Sequence, residues 1–382
     1  MKFFKKIMVI FVILLAIVGT GAFFFLQQAV FGKHPSGARL ERVKKSKQYR
    51  DGQFQNASET PMMSDDVSSV DLLKEYVFGN GAQTEPPKPL PSHKQDLKAL
   101  VASANPATPL VVWFGHSSYL IRIAGKTLLI DPVFSKRASP LSFAGSAAYA
   151  GTSIYAASDM PPLDAVIITH DHYDHLDYET ILKLAPTTAH FHTSLGVGEH
   201  LEHWGIAEEK ISEYDWWEEG KISAEENNEI RIIATPARHF SGRGIVRAQT
   251  LWSSFVLKTA THSLYLGGDS GYDTHFTEIG AKYGPFDLAL LECGQYNLGW
   301  KLIHFMPEEV VQAAQDLRAK ALMPVHWGKF TLALHAWDEP IRRITKAAKE
   351  RGIPIATPRI GETVFLNSAR TLPQEAWWEA VR

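Results

Sequence analysis

One stretch decides the fold expected of this chain: Ile167-Ile168-Thr169-His170-Asp171-His172-Tyr173-Asp174-His175-Leu176-Asp177. The apolar run at residues 165–168 predicts a buried strand. Three histidines and an aspartate then follow within six residues, in the pattern H-x-H-x-D-H. In extended backbone, residues two apart point the same way, so His170 and His172 can bind one metal ion together. Asp174 and His175 follow after the chain has turned and can hold a second ion beside the first.

Three further candidate ligands each stand after an apolar run, where the end of a strand would present them at the rim of a sheet. They are His239 after residues 230–234, Asp269 after residues 263–266, and His326 after residues 321–325. We expect His239 to complete the first ion and His326 to complete the second. Asp269 is expected to bridge the two ions, because a carboxylate can bind two cations whereas a neutral imidazole cannot. Nitrogen and oxygen ligands suit zinc, with iron or manganese also open.

A paired metal site of this kind predicts metal-assisted hydrolysis. Two ions lower the pKa of a shared water and neutralise the charge that develops on a phosphoryl or carbonyl oxygen. The sequence contains neither the G-x-S-x-G motif of serine hydrolases nor the G-x-x-x-x-G-K-[ST] loop that binds nucleotide phosphates. Asp174 is therefore both a candidate ligand and a candidate catalytic residue.

The pattern H-x-H-x-D-H after a buried strand resembles the signature of the metallo-β-lactamase superfamily. The resemblance implies an α/β fold, a four-layer αββα sandwich, with a dinuclear metal site along the rim of its two sheets. It leaves open whether the substrate is a lactam, thioester, lactone, phosphodiester or RNA, because a fold does not determine a function.

A longer set of motifs, from about Leu110 to about Pro340, resembles one branch, the N-acylphosphatidylethanolamine-hydrolysing phospholipase D family. These motifs begin at Trp113 (WFGHSS), Asp131 (DPVFSKRASP), Asp215 (DWWEE), Pro236 (PARHF), Gly268 (GDSGY), Gly284 (GPFD) and His326 (HWG). The resemblance implies two zinc ions and hydrolysis of a lipid phosphodiester to phosphatidic acid and an N-acylethanolamine.

The same resemblance assigns roles residue by residue. One zinc would bind His170, His172 and His239, and the other Asp174, His175 and His326, with Asp269 between them. His304, which stands just before the predicted helix at 307–317, matches a further active-site histidine. A homodimer is also what the family suggests.

The lipid substrate stays open, because residues that would contact it differ from those of the animal enzymes. Phe240-Ser241-Gly242-Arg243 replaces a tryptophan–cysteine pair, and Trp300-Lys301-Leu302-Ile303 differs from their loop. Aromatic side chains that could line an acyl-chain groove, or could be ordinary core residues, are Trp216, Trp217, Phe240, Trp300 and Phe305. Two other functions remain: a hydrolase of lactones or thioesters on the same site, and a membrane-tethered metal-binding protein without turnover.

The N-terminus carries three lysines, Lys2, Lys5 and Lys6, and then no charged residue from Ile7 to Leu26. A helix of that length covers about 30 Å, the thickness of the hydrocarbon core of a bilayer. We expect an uncleaved anchor rather than a signal peptide, because the apolar segment is long and no A-x-A site follows it. A bacterial inner membrane is the expected location. Basic residues on both flanks leave open which side the catalytic domain faces.

The chain divides into an anchor at 1–30, an extension and linker at 31–105, and a hydrolase domain at 106–382. The 382 residues have a formal net charge of −2, which gives no reason to expect nucleic acid as a partner. The expected partners are a phospholipid and the membrane. The one cysteine, Cys293, is expected to be a small buried residue rather than a nucleophile.

Apolar runs between turns predict strands at 110–114, 119–123 and 127–130, with a hairpin turn at 124–126. Helices are predicted at 71–77, 178–184, 198–204, 307–317 and 339–351. Pro324 lacks the N–H that a central strand needs, so it predicts an edge strand or a bulge.

Overall fold

A computed structural model describes residues 2–79, 81–223, 229–367 and 371–382 of the chain. The helices are α1 (Lys2–Leu26), α2 (Gly37–Val43), α3 (Ser69–Phe78), α4 (Leu97–Ser103), α5 (Tyr178–Leu184), α6 (Gly198–His203), α7 (His275–Tyr283), α8 (Pro307–Asp316) and α9 (Glu339–Glu350). The strands of the first half are β1 (Tyr49–Arg50), β2 (Gln53–Phe54), β3 (Leu110–Trp113), β4 (Tyr119–Ile123), β5 (Lys126–Ile130), β6 (Arg137–Ala138), β7 (Ser146–Ala147) and β8 (Leu163–Ile168). Those of the second half are β9 (Thr188–Ser194), β10 (Ile211–Tyr214), β11 (Glu219–Ser223), β12 (Ile230–Thr235), β13 (Ser254–Lys258), β14 (Ser263–Leu266), β15 (Leu288–Glu292), β16 (Leu322–Val325) and β17 (Thr363–Phe365).

Two mixed sheets form the body of the hydrolase domain. The first has the strand order β10-β9-β8-β5-β4-β3-β17, and the second has the order β11-β12-β13-β14-β15-β16. Parallel pairing connects β5, β8, β9 and β10 in the first sheet and β14, β15 and β16 in the second. The other neighbours in both sheets pair antiparallel.

Alternating residues of β3 show how the layers stack, because successive side chains on a strand point to opposite faces. Val111 and Trp113 belong to the core that also contains the side chains of the second sheet and of α7, α8 and α9. Leu110 and Val112 belong to a separate core with α4, α5 and α6. Both faces of the first sheet are thus buried, the second sheet packs on its inner face, and the predicted αββα sandwich is confirmed.

The predicted elements match the observed ones closely. The strand at 119–123 and the helix at 178–184 are confirmed residue for residue. The helices expected to end at 204, 317 and 351 each end one residue earlier, because that last residue is the cap whose N–H bonds back into the final turn. Strand β5 starts at Lys126 rather than 127, since Ala124 and Gly125 close the hairpin alone with φ of 47° and 72°.

Pro324 lies on β16, the last strand in the order of the second sheet, so the predicted edge position is confirmed. Cys293 follows the end of β15 and is fully buried, as expected of a small core residue. The predicted helix at 71–77 lies inside α3.

Parts of the extension at 31–105 pack on the hydrolase domain. Val43 and Phe54 are buried in one cluster with Trp216, Leu251 and Trp252. In contrast, α1 is exposed along its apolar length, and Phe3–Leu26 is long and apolar enough to cross a membrane. An N-terminal signal sequence can also be that long and apolar, so the predicted anchor and the bounds of the extension stay predictions.

Candidate metal centre

The predicted ligands lie together because four strands end at one rim of the sandwich. The H-x-H-x-D-H motif follows β8 of the first sheet, whereas His239, Asp269 and His326 follow β12, β14 and β16 of the second. Gly268 has a φ of 61°, and a Cβ there would lie 3.1 Å from the Ser253 carbonyl oxygen, so a side chain would be both strained and crowded. The turn that presents Asp269 therefore favours glycine at this position.

The first group of ligands is His170, His172, His239 and Asp269, whose ligand atoms lie within 4.8 Å of one another. His170 Nε2 lies 3.0 Å from His172 Nδ1, and His239 Nε2 lies 3.3 Å from that same atom. Asp269 Oδ2 lies 3.8 Å from His170 Nε2 and 3.7 Å from His239 Nε2. These are the residues that the sequence assigned to the first ion, and the fold brings them together.

The second group contains Asp174, His175 and His326, together with His116. His175 Nε2 lies 3.5 Å from Asp174 Oδ2 and 3.2 Å from Asp269 Oδ2. Asp269 Oδ1 lies 3.1 Å from His326 Nδ1. Asp269 thus lies between the two groups and contacts both, which is the position that a bridging carboxylate needs.

His116 has a part in the site that the sequence did not reveal. Its Nε2 lies 2.8 Å from Asp174 Oδ2, and its ring is fully buried. Ser117, the next residue, places its Oγ 2.9 Å from His326 Nδ1. The signal available in the sequence was the motif at residues 113–118, which follows β3 and ends at the same rim.

The ring nitrogens that face away from the centre are held by partners from neighbouring segments. His175 Nδ1 donates to Asp131 Oδ2 at 2.8 Å, and His239 Nδ1 donates to the Ile303 carbonyl at 2.8 Å. Such bonds fix the orientation of each ring, so that its Nε2 is the nitrogen that points into the centre.

The orphaned atoms of the centre fit a pair of metal ions. His175 Nε2 and Asp269 Oδ1 are buried and make no hydrogen bond of acceptable geometry to the described residues. Burial lowers the pKa of His170, His239 and His326 well below the usual value, so these rings are neutral and have a lone pair for a cation. Burial also raises the pKa of Asp269, a penalty on its charge that a bound cation would offset.

His304 lies outside both groups of four ligands, and it forms a third possible ligand group with Asp269 and His326. Its Nδ1 is 3.0 and 3.1 Å from the two carboxylate oxygens of Glu292, which is fully buried. Its ring stacks on that of His326 at a centroid distance of 5.5 Å. The sequence did not indicate a role for Glu292, because the apolar residues before it predict a core strand.

A cavity of about 400 Å³ opens above these groups. Its polar lining includes His172, Asp174, His239, Asp269, His304, His326, Gln295 and Arg247, and its apolar lining includes Met62, Met63, Phe240, Trp300, Ile303 and Leu332. Of the five aromatics considered for a groove, Phe240 and Trp300 line the cavity. Trp216 and Phe305 are core residues instead, and Trp217 stacks on Tyr283.

Comparisons with known proteins agree with this geometry. A family model described as a β-lactamase superfamily domain matches residues 126–327. An uncharacterized protein of Mycobacterium tuberculosis is 39% identical over 337 residues, which cover 87% of each chain. The N-acyl-phosphatidylethanolamine-hydrolyzing phospholipase D 1 of Caenorhabditis elegans is 33% identical over 230 residues, covering 58% of this chain and 64% of that protein.

Among solved structures, Igni18, a metallo hydrolase of Ignicoccus hospitalis, superposes with a TM-score of 0.50 at 23% identity. The superposition covers 68% of this chain and 98% of that one, and at this identity it shows the fold alone. The family match extends over more than half of the chain and includes both halves of the metal centre up to His326. The chain therefore belongs to the metallo-β-lactamase superfamily, and it is a metal-dependent hydrolase.

Proposed function

We propose that the chain binds two zinc ions and hydrolyses the phosphodiester of N-acylphosphatidylethanolamine or a related phospholipid, as a phospholipase D does. One observation carries the proposal: Asp269 belongs to the first ligand group and lies 3.2 Å from His175 and 3.1 Å from His326 of the second, in a cavity that apolar side chains and His304 also line. The name of the nematode relative supports the same reaction.

The ligands divide as the resemblance implies. His170, His172 and His239 would hold one ion, Asp174, His175 and His326 the other, and Asp269 both. When bound, two ions in this arrangement supply Lewis acidity and lower the pKa of water at the site. His116 is placed to hold Asp174 in position through the 2.8 Å contact between them.

His304 is the proposed proton donor. Hydrolysis of phospholipase D type breaks the bond between phosphorus and the oxygen of the N-acylethanolamine, and the water oxygen stays on phosphorus in phosphatidic acid. The departing alkoxide is a poor leaving group unless it gains a proton. His304 lines the cavity, and Glu292 orients it by binding its Nδ1.

The walls of the cavity suit a lipid. Phe240, Trp300, Ile303 and Leu332 offer apolar surface for acyl chains, and Arg247 offers a positive charge for phosphate. We place the enzyme in the membrane through α1, where it reaches phospholipids without leaving the surface. The resemblance also implies a homodimer, but all the ligand and cavity residues described above come from one chain.

A substrate comparison tests the proposal. The purified full chain, loaded with zinc, is given N-acylphosphatidylethanolamine in mixed micelles and, separately, a panel of lactones and thioesters. We expect phosphatidic acid and N-acylethanolamine in equal amounts, detected by mass spectrometry, and their loss in Asp269→Ala. Faster turnover of a lactone or thioester, with no cleavage of the phospholipid, would show that the site acts on carbonyl substrates instead.

A further inference from the structure

The C-terminal end of α1 is fixed to a loop beside the cavity. Nε and Nη2 of the buried Arg243 donate to the Val30 carbonyl at 3.2 and 2.8 Å. Trp204 Nε1 donates to the Ala29 carbonyl at 2.7 Å. Since α1 ends at Leu26, four residues before Val30, at most about 14 Å of extended chain separates the helix from this attachment.

The loop that carries Arg243 continues to the mouth of the cavity. Ile245 and Val246 are 84% and 54% exposed, and the next residue, Arg247, lines the cavity. In sequence order, the exposed Ile245 and Val246 thus lie between Arg243, which binds the Val30 carbonyl, and Arg247, which lines the cavity.

A second segment at the mouth is also apolar and exposed. Met62 and Met63 line the cavity and are 38% and 40% exposed. The segment rests on the loop of Trp300, another lining residue, because the Ser64 N–H donates to the Gly299 carbonyl at 2.7 Å. The mouth therefore has exposed apolar residues from two segments distant in sequence.

Helix α3 follows the second segment and extends the apolar surface. None of its residues is buried, and Leu72 packs over Gly299 of the same loop. Its exposed apolar side chains are Val70 (60%), Leu73 (62%), Val77 (60%) and Phe78 (83%). The spacing of three and four residues puts the first three on one face of the helix. Exposed apolar side chains gathered on one helix face beside a cavity mouth indicate contact with a membrane or another protein.

The attachment of α1 favours the membrane as the occupant. α1 presents an apolar surface from Phe3 to Leu26, of which nothing is buried, and a bilayer covers such a helix. Because Arg243 binds the Val30 carbonyl, four residues after α1 ends, the loop with Ile245 and Val246 lies close to the plane where α1 leaves the bilayer. Apolar side chains of interfacial segments at that level enter about 5–10 Å into the headgroup and acyl boundary.

We propose that Ile245 and Val246, together with the exposed face of α3, form a docking rim that seats the cavity mouth on the bilayer spanned by α1. A phospholipid then enters from the leaflet, with its acyl chains along the apolar wall and its phosphate near Arg247. This inference rests on the membrane placement in the proposed function and adds the surface through which the substrate arrives.

Depth-dependent quenching in the full chain tests the docking rim. The one cysteine, Cys293, is fully buried, so Ile245→Cys takes a single environment-sensitive maleimide label. The labelled chain, with an intact N-terminus verified by mass spectrometry, is reconstituted in phosphatidylethanolamine–phosphatidylglycerol vesicles. Nitroxide lipids then report contact with the bilayer, and iodide reports contact with water.

Glu350→Cys, labelled in the same way, is the matched control. Glu350 is exposed at the C-terminal end of α9. Ile355, a few residues later, pairs with Leu322 at the start of β16, whereas His326 follows the end of that strand. The control label is therefore at the end of the sheet opposite the metal centre.

We expect nitroxide lipids to quench the label at position 245 strongly and iodide to lose most of its effect there, with the reverse at position 350. Equal access of iodide to both labels would overturn the docking rim. A label at 245 that is shielded from both quenchers would also overturn it, since a protein, such as a second copy, would then cover the loop. The measurement needs no turnover, so a docked chain that leaves phospholipids intact refutes only the proposed hydrolysis.

Discussion

At the scale of single residues, the metal centre depends on side chains that are not ligands. Asp131 accepts hydrogen bonds from His175 Nδ1 and from both the N–H and the hydroxyl of Thr169, at 2.7 to 2.8 Å. One buried carboxylate thus connects a predicted ligand to the end of β8, where the metal-binding motif begins.

Replacing Asp131 should weaken metal binding without removing a ligand. We expect Asp131→Asn to lower the affinity for zinc about 10–100-fold, because the amide lacks the charge that orients and polarises His175. Chelator competition measures the affinity. Asp164→Asn, on β8 but one-third exposed, is the control, and equal affinities in the two variants would contradict the role given to Asp131.

His304 should matter for turnover and not for metal. We expect His304→Ala to retain both ions and the folded state, while the turnover rate of the phospholipid falls about a hundredfold, as loss of a general acid does. The loss should shrink for a nitrophenyl phosphodiester, whose leaving group needs no proton. An equal loss on both substrates would instead indicate that His304 only positions the substrate.

The sequence revealed the ligands but not their supports, for a physical reason. His170, His172, Asp174 and His175 are close in the chain, so their spacing alone predicts a shared site. The partners of these ligands come from other segments: Asp131 is 44 positions from His175, and His116 is 58 positions from Asp174. Only the packing of the sheets brings such pairs together.

At the scale of elements, strand ends and turns position the candidate ligands. The bounds of the predicted strands and helices were correct to within one or two residues, because each element has its own apolar period and end signals. The sequence did not indicate that Trp216 and Phe305 would turn into the core, because aromatic residues suit a groove and a core equally.

The turn at Gly268 offers a test of how strictly Asp269 is placed. We expect Gly268→Ala to destabilise the fold and reduce the metal content, because a Cβ would contact Ser253 and Thr169 at 3.1 Å in a left-handed conformation. Gly352→Ala is the matched control: its φ is 67°, but a Cβ there meets nothing within 4 Å. It should lose only about 1–2 kcal/mol and keep its metals. Unfolding in urea and metal analysis compare the two, and similar losses would count against the requirement for glycine at 268.

The attachment of α1 can be tested by two truncations. Removal of residues 2–26 should release a soluble domain that keeps its metals, because α1 buries nothing in the domain. Removal of residues 2–30 also removes the Ala29 and Val30 carbonyls, which accept hydrogen bonds from Trp204 and Arg243. This longer truncation should lower the free energy of unfolding by about 1–3 kcal/mol more. Urea unfolding compares them. A shorter truncation that aggregates and loses its metals would show that α1 is part of the fold.

At the scale of the whole molecule, the candidate metal centre needs both sheets. The first sheet provides the H-x-H-x-D-H motif, and the second provides His239, Asp269 and His326, so neither sheet alone holds a complete group of ligands. Asp269 contacts members of both groups and, like His304, lines the cavity.

Elemental analysis of the full chain tests the two-metal centre most directly. The chain is purified without chelators, and its transition metals are quantified by mass spectrometry beside those of Asp269→Ala. The account predicts two ions per wild-type chain, and reduced occupancy of both positions in the variant, because Asp269 is a ligand of the first group and contacts His175 and His326 of the second. A wild-type chain that holds at most one tightly bound ion, or a variant that still holds two, would contradict it.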